Sequence, residues 1–351
     1  MIGKSHDRTA VFSESSSRKV SAMLNRCPIR YVLFWSAIFV IVSAGQGAVA
    51  QTQVARIEVF PIESITVSDE EFLAGKKDGK PVTLAGELRI PRSGTARLPA
   101  VVLVHGSGGI PGSIADWAQF LNALGVATLT LDSFTGREIV STIEDQDRLG
   151  RLAMIVDVYR ALDMLAKHPR IEPSKVAVMG FSRGGHVALY ASLRRFQRAY
   201  ATGGNQFAGY LAFYSDCGVK YRGDDDVADK PIRLLHGAAD DYIPVGPCRP
   251  FVERLRAKGK DITLTEYPNA IHVFDWRALV KPVRMAKAQN WSRCNREESA
   301  DGRVINLQTG QPFSFRDACV ELGATIAYDA EAHSAAQRAV REFVEATLGA
   351  K

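Results

Sequence analysis

The sequence is short of several features that would each have set its class. Its 351 residues contain no HExxH, no CxxC and no GxxxxGKS or GxxxxGKT, which removes a zinc-protease helix, a zinc knuckle and a nucleotide-phosphate loop. Five cysteines are too few for a disulfide-built miniature domain. A strong excess of one charge is missing as well. The formal charge is +6, from 44 basic and 38 acidic residues, and residues 1–50 hold six of those bases (Lys4, Arg8, Arg18, Lys19, Arg26, Arg30) and two of the acids (Asp7, Glu14). Taking these away leaves 44 − 6 = 38 bases against 38 − 2 = 36 acids, a near balance that gives no reason to expect nucleic acid as a partner. With 46% hydrophobic and 23% charged residues, the composition is that of a globular protein, unlike a disordered chain, a collagen-like repeat or a multi-pass membrane protein.

What is present begins with a leader. Residues 31–44 read YVLFWSAIFVIVSA behind Arg26 and Arg30, and Ala48-Val49-Ala50 follow a glycine-rich step. A basic flank, a short apolar stretch and a small-x-small site describe a secretory signal peptide cleaved after Ala50. The alternative is a membrane anchor retained over residues 31–50, although its glycine- and alanine-rich second half makes a poor hydrocarbon span. Met23 would begin a signal of more usual length than Met1. With the leader removed, the expected product is exported, periplasmic or secreted, with no stable membrane association.

Cys217, Cys248, Cys294 and Cys319 remain, an even number that an oxidising compartment can join in three ways. We expect Cys217 with Cys248, because both sit just beyond strand ends that should be neighbours. Cys294 with Cys319 would close a loop-rich segment.

From residue 51 on, short apolar runs alternate with amphipathic stretches, the signature of a largely parallel sheet covered by helices. Strands are expected at 55–60, 82–90, 100–104, 127–131, 176–179, 210–214, 232–235 and 262–267. Helices are expected from Ser113, acting as a cap, to 124, then over 147–167, 184–196, 247–258 and 330–348. Residues 276–328 are polar and aperiodic and read as an insertion on the rim of one domain spanning 51–351.

The strongest chemical signal is Gly180-Phe181-Ser182-Arg183-Gly184-Gly185, between the strand KVAVM and the helix GHVALYASL. A G-x-S-x-G in that setting is a nucleophile elbow. The turn is so tight that side chains at Gly180 and Gly184 would strike backbone, and the serine is lifted above the sheet. Ser182 then needs a base, and the base needs an orienting acid.

Of the seven histidines, His272 alone follows a late strand by a short loop, in AIHVFD. His6 lies in the leader, His168 and His333 should be solvated, His186 should be packed, and His105 and His236 should shape turns. For the acid, Asp240 and Asp241 both sit in the loop after strand IRLL, with Asp216 a weaker third choice. Asp241 is free to bond the backbone of its own turn. The N–H of Arg183 opens a helix and can hold an oxyanion. A second donor is expected from His105-Gly106-Ser107-Gly108-Gly109, where Ser107 is preferred and Gly106 is the runner-up. Arg137 and Arg183 are the cations expected near the mouth, favouring an acidic substrate.

With LVHGSGG at 103–109, LDSF at 131–134, VMGFSRGG at 178–185, LHGAADDYIP at 235–244 and YPNAIHVFD at 267–275, most of the mature chain resembles the dienelactone hydrolase family of α/β-hydrolases. That resemblance implies an eight-stranded, mostly parallel sheet flanked by helices, and hydrolysis of small-molecule esters or lactones without a cofactor. It selects Asp240 over Asp241 and implies the triad Ser182, Asp240 and His272. The family's namesakes carry a cysteine nucleophile where this chain has Ser182, which favours a serine carboxylesterase. Two rival readings remain: a peptidase or acyl-aminoacyl hydrolase with the same triad, and a non-catalytic binding protein that kept the fold. Neither the acyl and alcohol preferences nor the oligomeric state can be read from the sequence.

Overall fold

In the computed structural model of the chain, residues 54–92 and 96–350 are described, and they belong to one compact unit. The expected leader, its cleavage site after Ala50 and the alternative anchor over 31–50 lie outside the described residues. Eight strands form the central sheet: β1 (Val54–Thr66), β2 (Lys80–Pro91), β3 (Leu98–Val104), β4 (Ala127–Asp132), β5 (Ile171–Phe181), β6 (Gly209–Phe213), β7 (Ile232–Gly237) and β8 (Ile262–Tyr267). They lie in the order β1-β2-β4-β3-β5-β6-β7-β8. The β1–β2 and β2–β4 pairs are antiparallel, and all the others are parallel. This is the mostly parallel, eight-stranded sheet that the sequence led us to expect.

Seven helices accompany the sheet: α1 (Asp69–Leu73), α2 (Gly112–Ala123), α3 (Ala153–Lys167), α4 (Arg183–Tyr190), α5 (Arg194–Tyr200), α6 (Cys248–Ala257) and α7 (Ala330–Leu348). Because successive strand residues point to opposite faces, β3 feeds two cores. Ala100, Val102 and Val104 join Ile155 and Leu162 of α3, Val187 of α4 and Leu255 of α6 in one core. Val101 and Leu103 join Trp117 and Leu121 of α2 with Phe343 and Val344 of α7 in the other. A strand packed on both faces must be apolar throughout, which is why AVVLV reads as an unbroken run.

Several local expectations are corrected. The helix expected from residue 147 starts only at Ala153, because the preceding stretch is drawn out of a helical path. The Gln146 and Leu149 carbonyls accept from Arg183, and the Leu152 N–H donates to Asp69. The helix expected over 184–196 breaks into α4 and α5, where Ser192 Oγ donates back to the Leu189 carbonyl and Leu193 bridges Val227. Ser113 is no cap: α2 begins at Gly112 behind the extended Pro111, and Ser113 is buried inside the helix. His168 and His333 are buried too, the first against Phe60 beside Glu58, the second against Trp117 and Tyr328.

Residues 276–328 form two small sheets. Val283–Asn290 runs antiparallel to Glu321–Ile326. Arg296–Glu298, Val304–Asn306 and Gln311–Pro312 join Val219–Lys220 in a four-stranded sheet. The bridges are Cys217–Cys248, at the start of α6, and Cys294–Cys319, within this segment. Closing loops with sequence separations of 31 and 25 residues constrains the unfolded chain by roughly 3–4 kcal/mol each. Between core and segment lies a buried ion cluster. Asp216 accepts from Arg151 at 2.9 Å, from Arg296 at 3.0 Å and from Trp291 Nε1 at 2.8 Å. Burial alone would raise this carboxyl, but Arg296 and Arg151 outweigh it and hold Asp216 well below the usual carboxylate range.

Candidate active site

Ser182 stands between the C-terminal end of β5 and the first residue of α4 with φ 56° and ψ −114°, a conformation that non-glycine residues rarely adopt. The surrounding glycines explain how the bend is tolerated. A Cβ at Gly180 would collide with the Gly184 carbonyl, one at Gly184 with the Val104 carbonyl, and one at Gly185 with the Phe213 carbonyl. The Ser182 N–H donates to the Phe213 carbonyl at 3.0 Å, which pins the bend to β6.

Three residues from separate loops converge here. Ser182 Oγ lies 2.9 Å from His272 Nε2, and His272 Nδ1 lies 2.7 Å from Asp240 Oδ2. Asp240 Oδ1 accepts from the N–H groups of Tyr242 and Ile243 at 2.9 and 2.8 Å, so the carboxylate is fixed by its own turn after β7. With Asp240 accepting at Nδ1, the ring proton is held there, and Nε2 is left to accept the serine proton. The His272 and Asp240 side chains are 2% and 0% exposed, so water hardly reaches the pair. The loop carrying His272 is fastened by a bridge to Ile326 and by the Ala327 N–H donating to the His272 carbonyl at 3.2 Å.

Asp241 has another task than the turn bond expected for it. It accepts from Thr325 N at 2.8 Å and Thr325 Oγ1 at 2.9 Å, and pairs with Arg284, tying the acid loop to the rim segment. Asp216 belongs to the arginine cluster described above. His105 lies directly after β3, and His236, expected to shape a turn, lies within β7; both are buried, and burial lowers both below the usual imidazole range. His186 is buried beneath α4, facing the Asp216 carbonyl and Tyr221 Oη, and burial pushes it down to about 3.

The loop after β3 doubles back at Gly106 and Gly109 and presses Gly106 against Phe181 and Ser182. Ser107 is held from behind. Arg183 Nε donates to Ser107 Oγ at 3.3 Å, its Nη1 to the Leu149 carbonyl at 2.7 Å and its Nη2 to Gln146 Oε1 at 2.6 Å. Ser107 Oγ in turn donates to the same Gln146 Oε1 at 3.2 Å. Gln146, in the stretch before α3, is braced by the rim segment, its N–H donating to Gln289 Oε1 at 2.8 Å. Burial lowers Arg183 to about 9, which leaves it cationic at neutral pH.

Both arginines expected at the mouth are elsewhere. The guanidinium of Arg183 is spent on this buried tie. Arg137 is 4% exposed and makes a two-pronged ion pair with Asp157 at 2.8 and 2.9 Å, with further bonds to Thr66, Ile65 and Ser133. A guanidinium that saturated has no donor left for a ligand. Sequence reasoning missed Gln146, which lies in no motif. It also missed Asp275, three residues after His272, which accepts from Trp117 Nε1 at 2.7 Å and Tyr214 Oη at 2.8 Å. Burial raises the Asp275 carboxyl, and the Tyr214 ring it steadies stands edge-on to His272 with ring centroids 4.7 Å apart.

The model of the dienelactone hydrolase family matches residues 84–296 of this chain. The chain is 26% identical over 213 residues to the "Probable 2-oxo-3-(5-oxofuran-2-ylidene)propanoate lactonase" of Bradyrhizobium sp, an overlap covering 56% of this chain and 82% of that protein. It is also 26% identical over 151 residues, 38% of its length, to Dipeptidyl peptidase family member 1 of Caenorhabditis elegans, and spans 18% of that relative. Among solved structures it superposes on a dienelactone hydrolase-like promiscuous phosphotriesterase from metagenomic libraries with a TM-score of 0.51 and 17% identity, covering 83% of this chain and 98% of that one. That likeness shows the α/β-hydrolase fold.

Proposed function

The chain belongs to the dienelactone hydrolase family, and from that premise we propose that it is a carboxylic ester hydrolase cleaving esters or lactones through an acyl-enzyme formed on Ser182. The observation that carries this reading is the unbroken hydrogen-bonded line from Ser182 through His272 to Asp240. In the proposed reaction, His272 Nε2 takes the Ser182 proton as Oγ attacks the ester carbonyl. The N–H groups of Ser107 and Arg183 receive the oxyanion, and His272 returns the proton to the departing alcohol. Water activated by His272 then attacks the acyl group and releases the acid. No step asks for a metal or a cofactor.

A peptidase reading has support of a coarser kind, the partial match to a dipeptidyl peptidase family member. Esters or lactones are preferred because the family model and the lactonase relative span far more of this chain. We place the protein in an oxidising, exported compartment, a reading supported by its two disulfides. Among the described residues no helix is long and apolar enough to cross a membrane. Short p-nitrophenyl esters should be turned over by the wild-type chain. S182A and H272A should each lose on the order of 10⁴-fold in kcat while remaining folded. Peptide turnover without ester turnover, or full activity in S182A, would refute the proposal.

A further inference from the structure

Ser182 opens into a cavity of about 520 Å³ whose walls are unusual in what they omit. Among the described residues no aspartate, glutamate, lysine or arginine lines it. Its aromatic surface comes from Phe181, Tyr214, Tyr242 and Trp276, and its aliphatic surface from Ile110, Ile143, Met285 and Ile326 among others. Three of the polar side chains within reach are already engaged. Tyr214 Oη donates to Asp275, Ser107 Oγ lies between Gln146 and Arg183, and His272 lies between Ser182 and Asp240. The nearest cation, Arg183, stands behind Ser107 with its guanidinium bonded to Ser107 Oγ, Gln146 and the Leu149 carbonyl. Arg148 and Lys287 are exposed in a neighbouring groove behind Ile143 and Met285, where Glu144 and Asp145 share the same surface.

A carboxylate carried into such a cavity would give up its water and meet no cation on the walls. An alkyl or aryl group would be favoured there by burial of its own apolar surface. Three of the wall residues, Trp276, Met285 and Ile326, belong to the 276–328 segment, so that segment supplies a large part of the apolar lining. We infer that the enzyme selects esters whose buried acyl portion is uncharged and apolar, and that the 276–328 segment imposes the selection. The inference rests on the acyl-enzyme reading above and narrows it to a substrate class.

The test compares two esters of one chain length and one leaving group, p-nitrophenyl hexanoate and mono-p-nitrophenyl adipate, which differ by a terminal methyl against a carboxylate. The wild-type kcat/KM should favour the hexanoate by about a hundredfold or more. Met285→Arg, which brings a cation to the wall, should shrink that ratio at least about tenfold. Trp276→Ala should lower kcat/KM for the hexanoate more than for the adipate. Equal or better turnover of the adipate by the wild-type chain would overturn the inference while leaving the hydrolase reading intact. So would labelling of Ser182 by a fluorophosphonate without turnover of the hexanoate. If Ser182 takes no fluorophosphonate and neither ester is cleaved, the hydrolase reading fails first.

Discussion

Arg183 follows the nucleophile directly, yet its charged end points away from any substrate and into the protein. Its peptide N–H and that of Ser107 are the two donors proposed for the oxyanion, and the side chains of the same two residues are joined through Gln146. The tie therefore sets the distance between the donors, and donors aimed in advance are worth far more than donors that must be rearranged. Gln146 is in this sense a positioning residue. Gln146→Leu removes the shared acceptor and should lower kcat by about 10–100-fold with KM changed less than about twofold, the mark of a loss confined to the transition state. Gln146→Glu keeps an oxygen for both donors and should retain most of kcat. Steady-state kinetics on both variants decide the matter: equal losses, or a change in melting temperature alone, would show that Gln146 is only packing. Ser182 and His272 were legible because each sits beside a strand end in a patterned loop, whereas Asp240 was separated from its neighbour Asp241 only by the family resemblance. Gln146 was not legible, because its role depends on a long-range approach that no local pattern records.

Among the elements, those with one environment along their length were read well, and those that change environment midway were not. β3 is buried or half-buried throughout and matches its apolar run closely. α7 keeps a single apolar stripe from Ala332 to Leu348, and its bounds were readable from periodicity alone. The stretch before α3 has the same apolar spacing as the helix it precedes, but Arg183 and Asp69 claim its backbone groups, and tertiary bonds overrode the local preference. The expected helix over 184–196 failed for a related reason, since Ser192 Oγ bonds back to the Leu189 carbonyl and Leu193 bridges Val227 outside the helix. The 276–328 segment was read as irregular because its strands are two to eight residues long and carry no sustained alternation. It nonetheless supports the acid loop through Asp241–Thr325 and the oxyanion loop through Gln146–Gln289. The arginine reading erred because a charged residue near a strand end was taken to face outward. Arg137 turns inward because Asp157, wholly buried on α3, requires a cation there.

At the scale of the whole molecule, four interior histidines lower stability in acid, against an opposite contribution from Asp69 and Asp275, whose carboxyls burial raises. Burial lowers His186 to about 3 and His333 to about 4, and it depresses His105 and His236 as well. Each stays neutral in the fold but protonates near pH 6.5 once unfolded, so between those values the unfolded chain binds more protons. Their contribution to stability is complete above about pH 6.5 and is lost progressively as the pH falls towards 4 and 3. Below about pH 4 the depressed Asp216 adds a further loss of the same sign. Thermal melts from pH 7 to pH 4 should show a falling transition temperature, with a shallower fall in His186→Asn. A flat profile over that interval would contradict the burial of these rings.

The same fold that hides those imidazoles leaves one poised against a hydroxyl, and the proposed activity follows from that contrast. The most direct test is the intact mass of the native protein after brief exposure to a fluorophosphonate, with the modified residue located by peptide sequencing. One adduct per chain, on Ser182, is predicted, absent from S182A and strongly slowed in H272A. No adduct on the folded wild-type chain, or an undiminished adduct in S182A, would contradict the account at its centre.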